Sequence, residues 1–198
     1  MALNLPIKYK MNKPLRIGFD LDGVLLYNPL RIGRMPVTYI KRKFFNERKT
    51  HFHIPHGKIE EGIWSILHLS SMFLVDGLSP IDTLIKQNKV EAYVVTARYN
   101  FLQPNTRFWF NRLRKKHNFK DLIANTDDQQ PHLYKEKILN RLKLDIFVED
   151  NWDIVDYLHP KVSTKIFWIY NIVDRNISYP TKFPSLKQAT TAITTIVK

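Results

Sequence analysis

Residues 16–26 read RIGFDLDGVLL, and this stretch constrains the fold more than any other. A short β-prone apolar run (Leu15, Ile17, Phe19) stops at Asp20-Leu21-Asp22-Gly23, and a new apolar segment follows. Alternation along a strand turns Asp20 and Asp22 to the same face, and a turn at Gly23 lets the chain flare just beyond them. Two carboxylates one residue apart at the end of a buried strand are costly to desolvate unless a cation compensates. The natural compensators are a hard divalent cation, which takes carboxylate oxygens, and a phosphate-bearing ligand that shares it. Alone, the motif also reads as a strand running into an ordinary Asp-Gly turn, so its weight rests on the rest of the chain.

The 198 residues make one domain, or one domain with an insert, and at this length a full core forms without staples. There is no cysteine, which excludes disulfides and thiolate metal sites and fits a reducing compartment. The first sixteen residues are basic but lack a continuous apolar region, so they do not read as a secretory signal. No stretch approaches the ~18 apolar residues of a membrane span. A soluble, cytoplasmic protein without a membrane partner is the expectation. The charge is unusual: 31 Lys+Arg against 18 Asp+Glu give a formal +13. Residues 31–58 carry eight of these cations against Glu47 alone, and residues 107–120 carry six with no acid. Such runs concentrate anions, whether phosphorylated small molecules or nucleic acid, and they also read as solvated helical faces.

Periodicity gives a coarse order of elements. Strands are expected near 15–21, 90–96, 121–125, 145–149 and 165–170. Helices are expected from an N-capping Ser79 with Pro80 in the first turn, and near 101–117, 134–142, 152–158 and 185–197. Strands alternating with helices argue an α/β fold with a Rossmann-like, three-layer parallel sheet. Residues 29–76 break the rhythm without a clear buried strand and read as a small helical cap inserted after the first strand. The expected core is then 1–28 and 77–198.

In an open parallel sheet, ligands sit beyond the carboxyl ends of the strands. Asp20 and Asp22 end the first strand, Thr96 ends the second, and Glu149-Asp150-Asn151 ends a later one. Three strands thus deliver acids or hydroxyls to one edge, with Lys135 near the start of the helix leading into the last of them.

This ordered set resembles the haloacid-dehalogenase-like (HAD) superfamily of phosphohydrolases. The first motif stands as Ile17-Gly18-Phe19-Asp20-Leu21-Asp22-Gly23-Val24. The second is Tyr93-Val94-Val95-Thr96, followed by Ala97-Arg98. The third is Lys135 or Lys137 in KEKILNRLKLDIFVED, with the spacing to Ile138, Leu139 and Leu142 favouring Lys135. The fourth is Ile146-Phe147-Val148-Glu149-Asp150. The resemblance covers about residues 15–170, and its closest counterparts are small uncharacterised members. It implies the HAD fold and a magnesium-dependent phosphomonoester hydrolase that passes through an aspartyl-phosphate. Asp20 would be the nucleophile and Asp22 the general acid and then base. Thr96 and Lys135 would bind the phosphoryl oxygens. Mg2+ would be held by Asp20, the backbone carbonyl of Asp22, and Asp150. Glu149 stands where many members carry Asp, and Asp153 is either a supporting acid or one that favours a helix N-terminus.

The resemblance gives a chemistry but no substrate; a nucleotide or sugar phosphate is the natural class for a phosphomonoester hydrolase. Two other readings are a polynucleotide-end phosphatase and a non-catalytic module that binds nucleic acid or another polyanion. The second fails to explain both Asp20 and Asp22. Arg98 would grip a substrate anion or form a salt bridge. His51, His53 and His56, with Glu60 one turn on, read as a flexible loop near substrate more readily than as a metal site. Trp64, Trp109, Trp152 and Trp168 sit in apolar periodic settings and are expected in the core.

Overall fold

A computed structural model describes residues 13–27, 52–55, 57–69 and 73–197. Its centre is β1 (Leu15–Phe19), which pairs in parallel with β4 (Val90–Thr96) on one side and β6 (Ile146–Glu149) on the other. With β5 (Asp121–Ala124), β7 (Lys165–Ile169) and β8 (Lys182–Phe183) the sheet has six parallel strands in the order β5-β4-β1-β6-β7-β8. The chain builds outward through β4 to β5, then crosses back over β1 to continue through β6. The carboxyl end of β1 therefore lies at the reversal of strand order, where such sheets open a crevice.

A parallel sheet is covered on both faces, which explains why VEAYVVT and IFVE are nearly continuous apolar runs. One face takes α2 (Ser79–Lys86), α3 (Gln103–Arg114) and α6 (Leu186–Val197) through Ile81, Leu84, Trp109, Phe110, Leu113 and Ile193. The other takes α4 (Pro131–Leu142) and α5 (Trp152–Leu158) through Ile138, Leu139, Ile154, Val155 and Leu158. Phe19, Phe147, Phe167 and Trp168 are wholly buried, each worth roughly 2–3 kcal/mol of transfer free energy. Gly18 in β1 permits this packing: a Cβ there would lie 2.6 Å from Leu144 Cδ1 and 2.9 Å from Phe147 Cδ2.

Several expectations need correction. Ser79 lies inside α2, whose N-cap is Leu78 without a side-chain bond, so Ser79 is not the cap. The helix expected over 101–117 begins as a 3-10 turn at Asn100–Leu102 and ends as α3 at Arg114. The helix expected from Tyr134 begins earlier, with Pro131 in its first turn. Three short strands were not expected: β8, and the antiparallel pair β2 (Leu26–Tyr27) and β3 (Phe73–Leu74). Two-residue strands show no alternation to read. The β2–β3 pairing sets Leu26 opposite Leu74, so the two ends of the insert leave side by side.

In the stretch expected to form a cap, α1 (Lys58–Leu69) begins just after Gly57 and leaves Ile59, Ile63 and Ile66 exposed. The expected amphipathic stretch through Val37, Ile40, Phe44 and Phe45, the basic run before Lys58, His51 and His56 all lie outside the described residues. Among the described residues no helix is long and apolar enough to cross a membrane.

Candidate active site

The turn after β1 begins the site. Gly23 adopts φ +82°, a left-handed conformation open to glycine without strain. Its amide donates to the Leu26 carbonyl at 2.8 Å, while the Leu25 and Leu26 amides donate to Leu21. This tight loop ends the strand at Asp20, whose own amide still donates to Val148 of β6 at 3.0 Å. Asp20 is thereby fixed at the sheet edge and almost fully buried.

Lys135 meets it from α4. The ammonium lies 3.2 Å from Asp20 Oδ1 and donates to Glu149 Oε2 at 2.6 Å, and only 2% of Lys135 is exposed. Burial pulls the Lys135 pKa down, but the charges of Asp20 and Glu149 override it and hold the pKa above that of an ordinary lysine. The lysine stays charged. Burial raises the Glu149 pKa against the pull of Lys135, with Asp150 adding to the rise. Both Glu149 oxygens are engaged, Oε1 accepting from the Asn151 amide at 3.0 Å. Helix register places Lys135 beside Asp20, while Lys137 lines a different groove.

Asp20, Glu149 and Asp150 each offer a carboxylate oxygen within 4.8 Å of the others. Trp168 Nε1 donates to the Asp150 carbonyl at 3.2 Å and holds that strand end in place. Three oxygen donors with no imidazole or thiolate among them suit a hard cation such as Mg2+ or Ca2+. The sequence reading put Glu149 beside this set as a support; its carboxylate lies within the same 4.8 Å, with both oxygens engaged by Lys135 and the Asn151 amide. Asp153 lies in the first turn of α5, where its amide is capped by Asn151 Oδ1 at 3.0 Å, and is not in the triplet.

Asp22 is gripped by Arg98. Arg98 Nε donates to Oδ2 and Nη2 to Oδ1, both at 2.7 Å, and Nη1 is braced by Asn105 Oδ1 at 2.7 Å. Of the two readings of Arg98, the structure gives the salt bridge. Arg98 is 4% exposed, so this fork is built into the core rather than left on the surface. Thr96 ends β4, buried, with its hydroxyl oxygen accepting from the Arg98 amide at 3.3 Å. That leaves the hydroxyl proton to point elsewhere.

Asp20, Asp22, Thr96, Arg98, Lys135 and Glu149 line a cavity of about 170 Å³ whose other lining includes Phe52, His53 and Trp64. His53 stacks on Trp64 with ring centroids 6.4 Å apart and pairs with Glu60 at 3.2 Å. Phe52 is tied to the core by a two-way bond with the Gln130 amide group, both contacts at 3.0 Å. Tyr99, its phenol pKa pushed up to about 12 by burial with Asp128 adding, stays protonated and donates to the His53 carbonyl at 3.1 Å. Trp64 is therefore not a core residue, as its apolar setting suggested; Trp109 and Trp168 are, and Trp152 packs against Trp168 at 4.5 Å. Asn105, Gln130 and Phe52 carried no sequence signal, because their partners are remote along the chain.

No protein-family model matches the chain, and no curated protein matches it in sequence. Solved structures do. A HAD hydrolase from Entamoeba histolytica matches with a TM-score of 0.56 at 12% identity, over 91% of this chain and 99% of that one. A haloacid-dehalogenase-like hydrolase from Xanthomonas campestris gives 0.54 at 12%, over 93% and 96%. A HAD-superfamily hydrolase from Ehrlichia chaffeensis gives 0.51 at 14%, over 95% and 100%. Identity this low speaks for the backbone and not for the chemistry. With its six parallel strands and its acids at the carboxyl edge, the chain has the fold of the haloacid-dehalogenase-like hydrolases.

Proposed function

We propose that this protein is a phosphomonoester hydrolase that uses Asp20 as nucleophile. The observation that carries the reading is the placement of Asp20: buried at the end of the central strand, 3.2 Å from a charged lysine and within 4.8 Å of two further acids. An isolated carboxylate there would be expelled or neutralised, and this one is held ready for an electrophile that brings its own negative charge.

A carboxylate oxygen of Asp20 attacks phosphorus, the bond to the leaving oxygen breaks, and an aspartyl-phosphate results. Lys135 and the Thr96 hydroxyl take the phosphoryl oxygens and offset the charge that gathers on them. Asp22 delivers a proton to the leaving oxygen, then accepts one from the water that attacks phosphorus and returns Asp20 as carboxylate. Before Asp22 can carry a proton, one of its two bonds to Arg98 has to open, so Arg98 governs how readily Asp22 cycles. Mg2+ held by Asp20, Glu149 and Asp150 would neutralise the approaching dianion. The Asp22 carbonyl remains the fourth protein oxygen proposed for it.

Between nucleotide and sugar phosphate, the aromatic wall of Phe52, His53 and Trp64 favours a nucleotide, since a planar base stacks on such rings. The basic run at the end of α3 supports a second reading, a phosphatase of oligonucleotide ends. The test is a panel of nucleoside monophosphates, sugar phosphates and end-phosphorylated oligonucleotides, assayed with magnesium for the wild type and Trp64→Ala. A nucleotide enzyme loses kcat/KM on nucleotides by about tenfold in the variant, roughly one base stack, and keeps its rate on sugar phosphates. Equal loss across the panel, or no metal-dependent hydrolysis of any member, overturns the reading.

A further inference from the structure

A second, larger cavity of about 380 Å³ runs along the outer edge of the sheet. Its floor is β5, the edge strand, and its walls come from α3 on one face and α4 on the other. Into it project Arg107 from α3 and Lys137 and Arg141 from α4. Among the described residues, none of the three has an ion-pair partner, although like charges gathered in one groove repel. The two acids in the walls are already engaged. Asp127 accepts from Thr126 Oγ1 at 3.2 Å and Gln129 Nε2 at 3.1 Å, and Asp121 Oδ1 accepts from the Leu122 amide at 2.8 Å.

Tyr134 supplies the independent sign. It lines the same cavity, 4% exposed, and among the described residues its buried hydroxyl has no hydrogen-bond partner. Leaving a buried hydroxyl unmade is costly enough that native structures rarely do so without a reason. Burial pushes the phenol pKa up, against the pull of Arg141 and Lys135 and with that of Asp127, so the hydroxyl stands among charges in these walls and remains a donor. Among the described residues, the groups of the cavity without a carboxylate partner are donors: two guanidinium groups and an ammonium, with the buried phenol beside them. Three cationic side chains stand against the carboxylates of Asp121 and Asp127, so the lining favours an anionic ligand. A phosphate group presents three oxygen acceptors on one centre, which suits donors that come from two walls. Leu122, Ile123 and Ile138 add an apolar surface for the body of such a molecule, and the volume falls in the range of small-ligand sites.

We propose that this groove is a second binding site, separate from the cavity over Asp20, that takes a phosphate-bearing small molecule of nucleotide size through Arg107, Lys137, Arg141 and the Tyr134 hydroxyl. A small ligand suits it better than a polyanionic chain, because β5, α3 and α4 bound a groove of about 380 Å³, the size of a small-ligand site.

The test is calorimetric titration of ADP, with EDTA present to prevent turnover, into the wild type and three variants. Arg107→Gln/Arg141→Gln should weaken a binding event at least tenfold and leave phosphomonoesterase kcat unchanged. Tyr134→Phe removes the hydroxyl alone; it should weaken the same event several-fold while the ligand-free melting temperature stays level or rises. Lys115→Gln/Lys116→Gln, on the neighbouring basic run, should change nothing. The proposal is overturned if ADP does not bind at millimolar concentration, if the two groove variants leave the isotherm intact, or if the Lys115/Lys116 pair weakens binding as much. A Tyr134→Phe variant that melts earlier yet binds ADP normally also overturns it, because the hydroxyl then has an internal partner.

Discussion

Lys135→Met removes the charge from a buried polar cluster, and its cost can be worked from the contacts. The ammonium touches Asp20 at 3.2 Å and Glu149 at 2.6 Å, and only 2% of the residue is exposed. Methionine fills the space but leaves two buried carboxylates without their cation. Deleting one partner of a buried ion pair costs about 3–5 kcal/mol, chiefly as the penalty of the charge left behind. At about 2–4 °C per kcal/mol for a chain of this size, the melting temperature should fall by roughly 6–20 °C. Glu149→Gln should cost less, because Asp20 still compensates the lysine. The double variant should then lose less than the sum of the two by about 1–3 kcal/mol, the coupling expected of groups in contact. Urea unfolding of all four proteins in EDTA measures this, with Lys137→Met as the control that should stay within about 0.5 kcal/mol of wild type. If Lys135→Met costs under about 1 kcal/mol, or the losses simply add, the lysine does not hold these acids and the site has been misread.

Other outcomes follow from the same geometry. Arg98→Lys keeps the charge but loses the two-pronged grip on Asp22, so kcat should fall at least tenfold on an alkyl phosphate and much less on p-nitrophenyl phosphate, whose leaving group needs no proton; equal losses would mean Arg98 does not act through Asp22. Asp150→Asn should raise the half-saturating magnesium concentration more than Glu149→Gln, because both Glu149 oxygens are already held by Lys135 and the Asn151 amide; the reverse order in magnesium titrations of activity would reassign the principal metal acid. The Glu91 pKa is lowered, chiefly by its bond from Lys120 at 2.6 Å and against the effect of burial, with Tyr93 and Arg16 helping. Below the ordinary value of 4.5 the unfolded chain therefore takes up that proton first, and Glu91 loses its stabilising effect as pH falls through its folded pKa. The melting-temperature advantage of wild type over Glu91→Gln should be present at pH 5 and shrink steadily as pH falls below 4.5, and a constant difference would refute the assignment.

The parts of this site that could be read from sequence are those written locally. Asp20, Thr96 and Glu149-Asp150 each end an apolar run, and in a parallel sheet all such ends fall on one edge, so their meeting follows from the fold class. Lys135 and Lys137 differ by two positions on one helix, and periodicity toward Ile138 and Leu139 favoured the one that proved buried. What stayed hidden depends on pairing between distant segments. Asp22 and Arg98 are 76 residues apart, so nothing local announces that the carboxylate is already bound. Trp64 looks like a core residue by period alone, and only the structure shows that it lines the cavity beside the strand ends. Tyr134 is likewise an ordinary helix aromatic until its hydroxyl is seen to have no partner among the described residues.

The claim on which everything else depends is that Asp20 becomes covalently phosphorylated. Rapid acid quench of the enzyme turning over a 32P-labelled phosphomonoester with magnesium, followed by peptide mapping, tests it directly. The account predicts an acid-stable, base-labile label on the peptide carrying Asp20, formed within the first turnover, chased by unlabelled substrate, and absent from a folded, inactive Asp20→Asn. Phosphate release without any labelled peptide, or turnover that survives in Asp20→Asn, would contradict it.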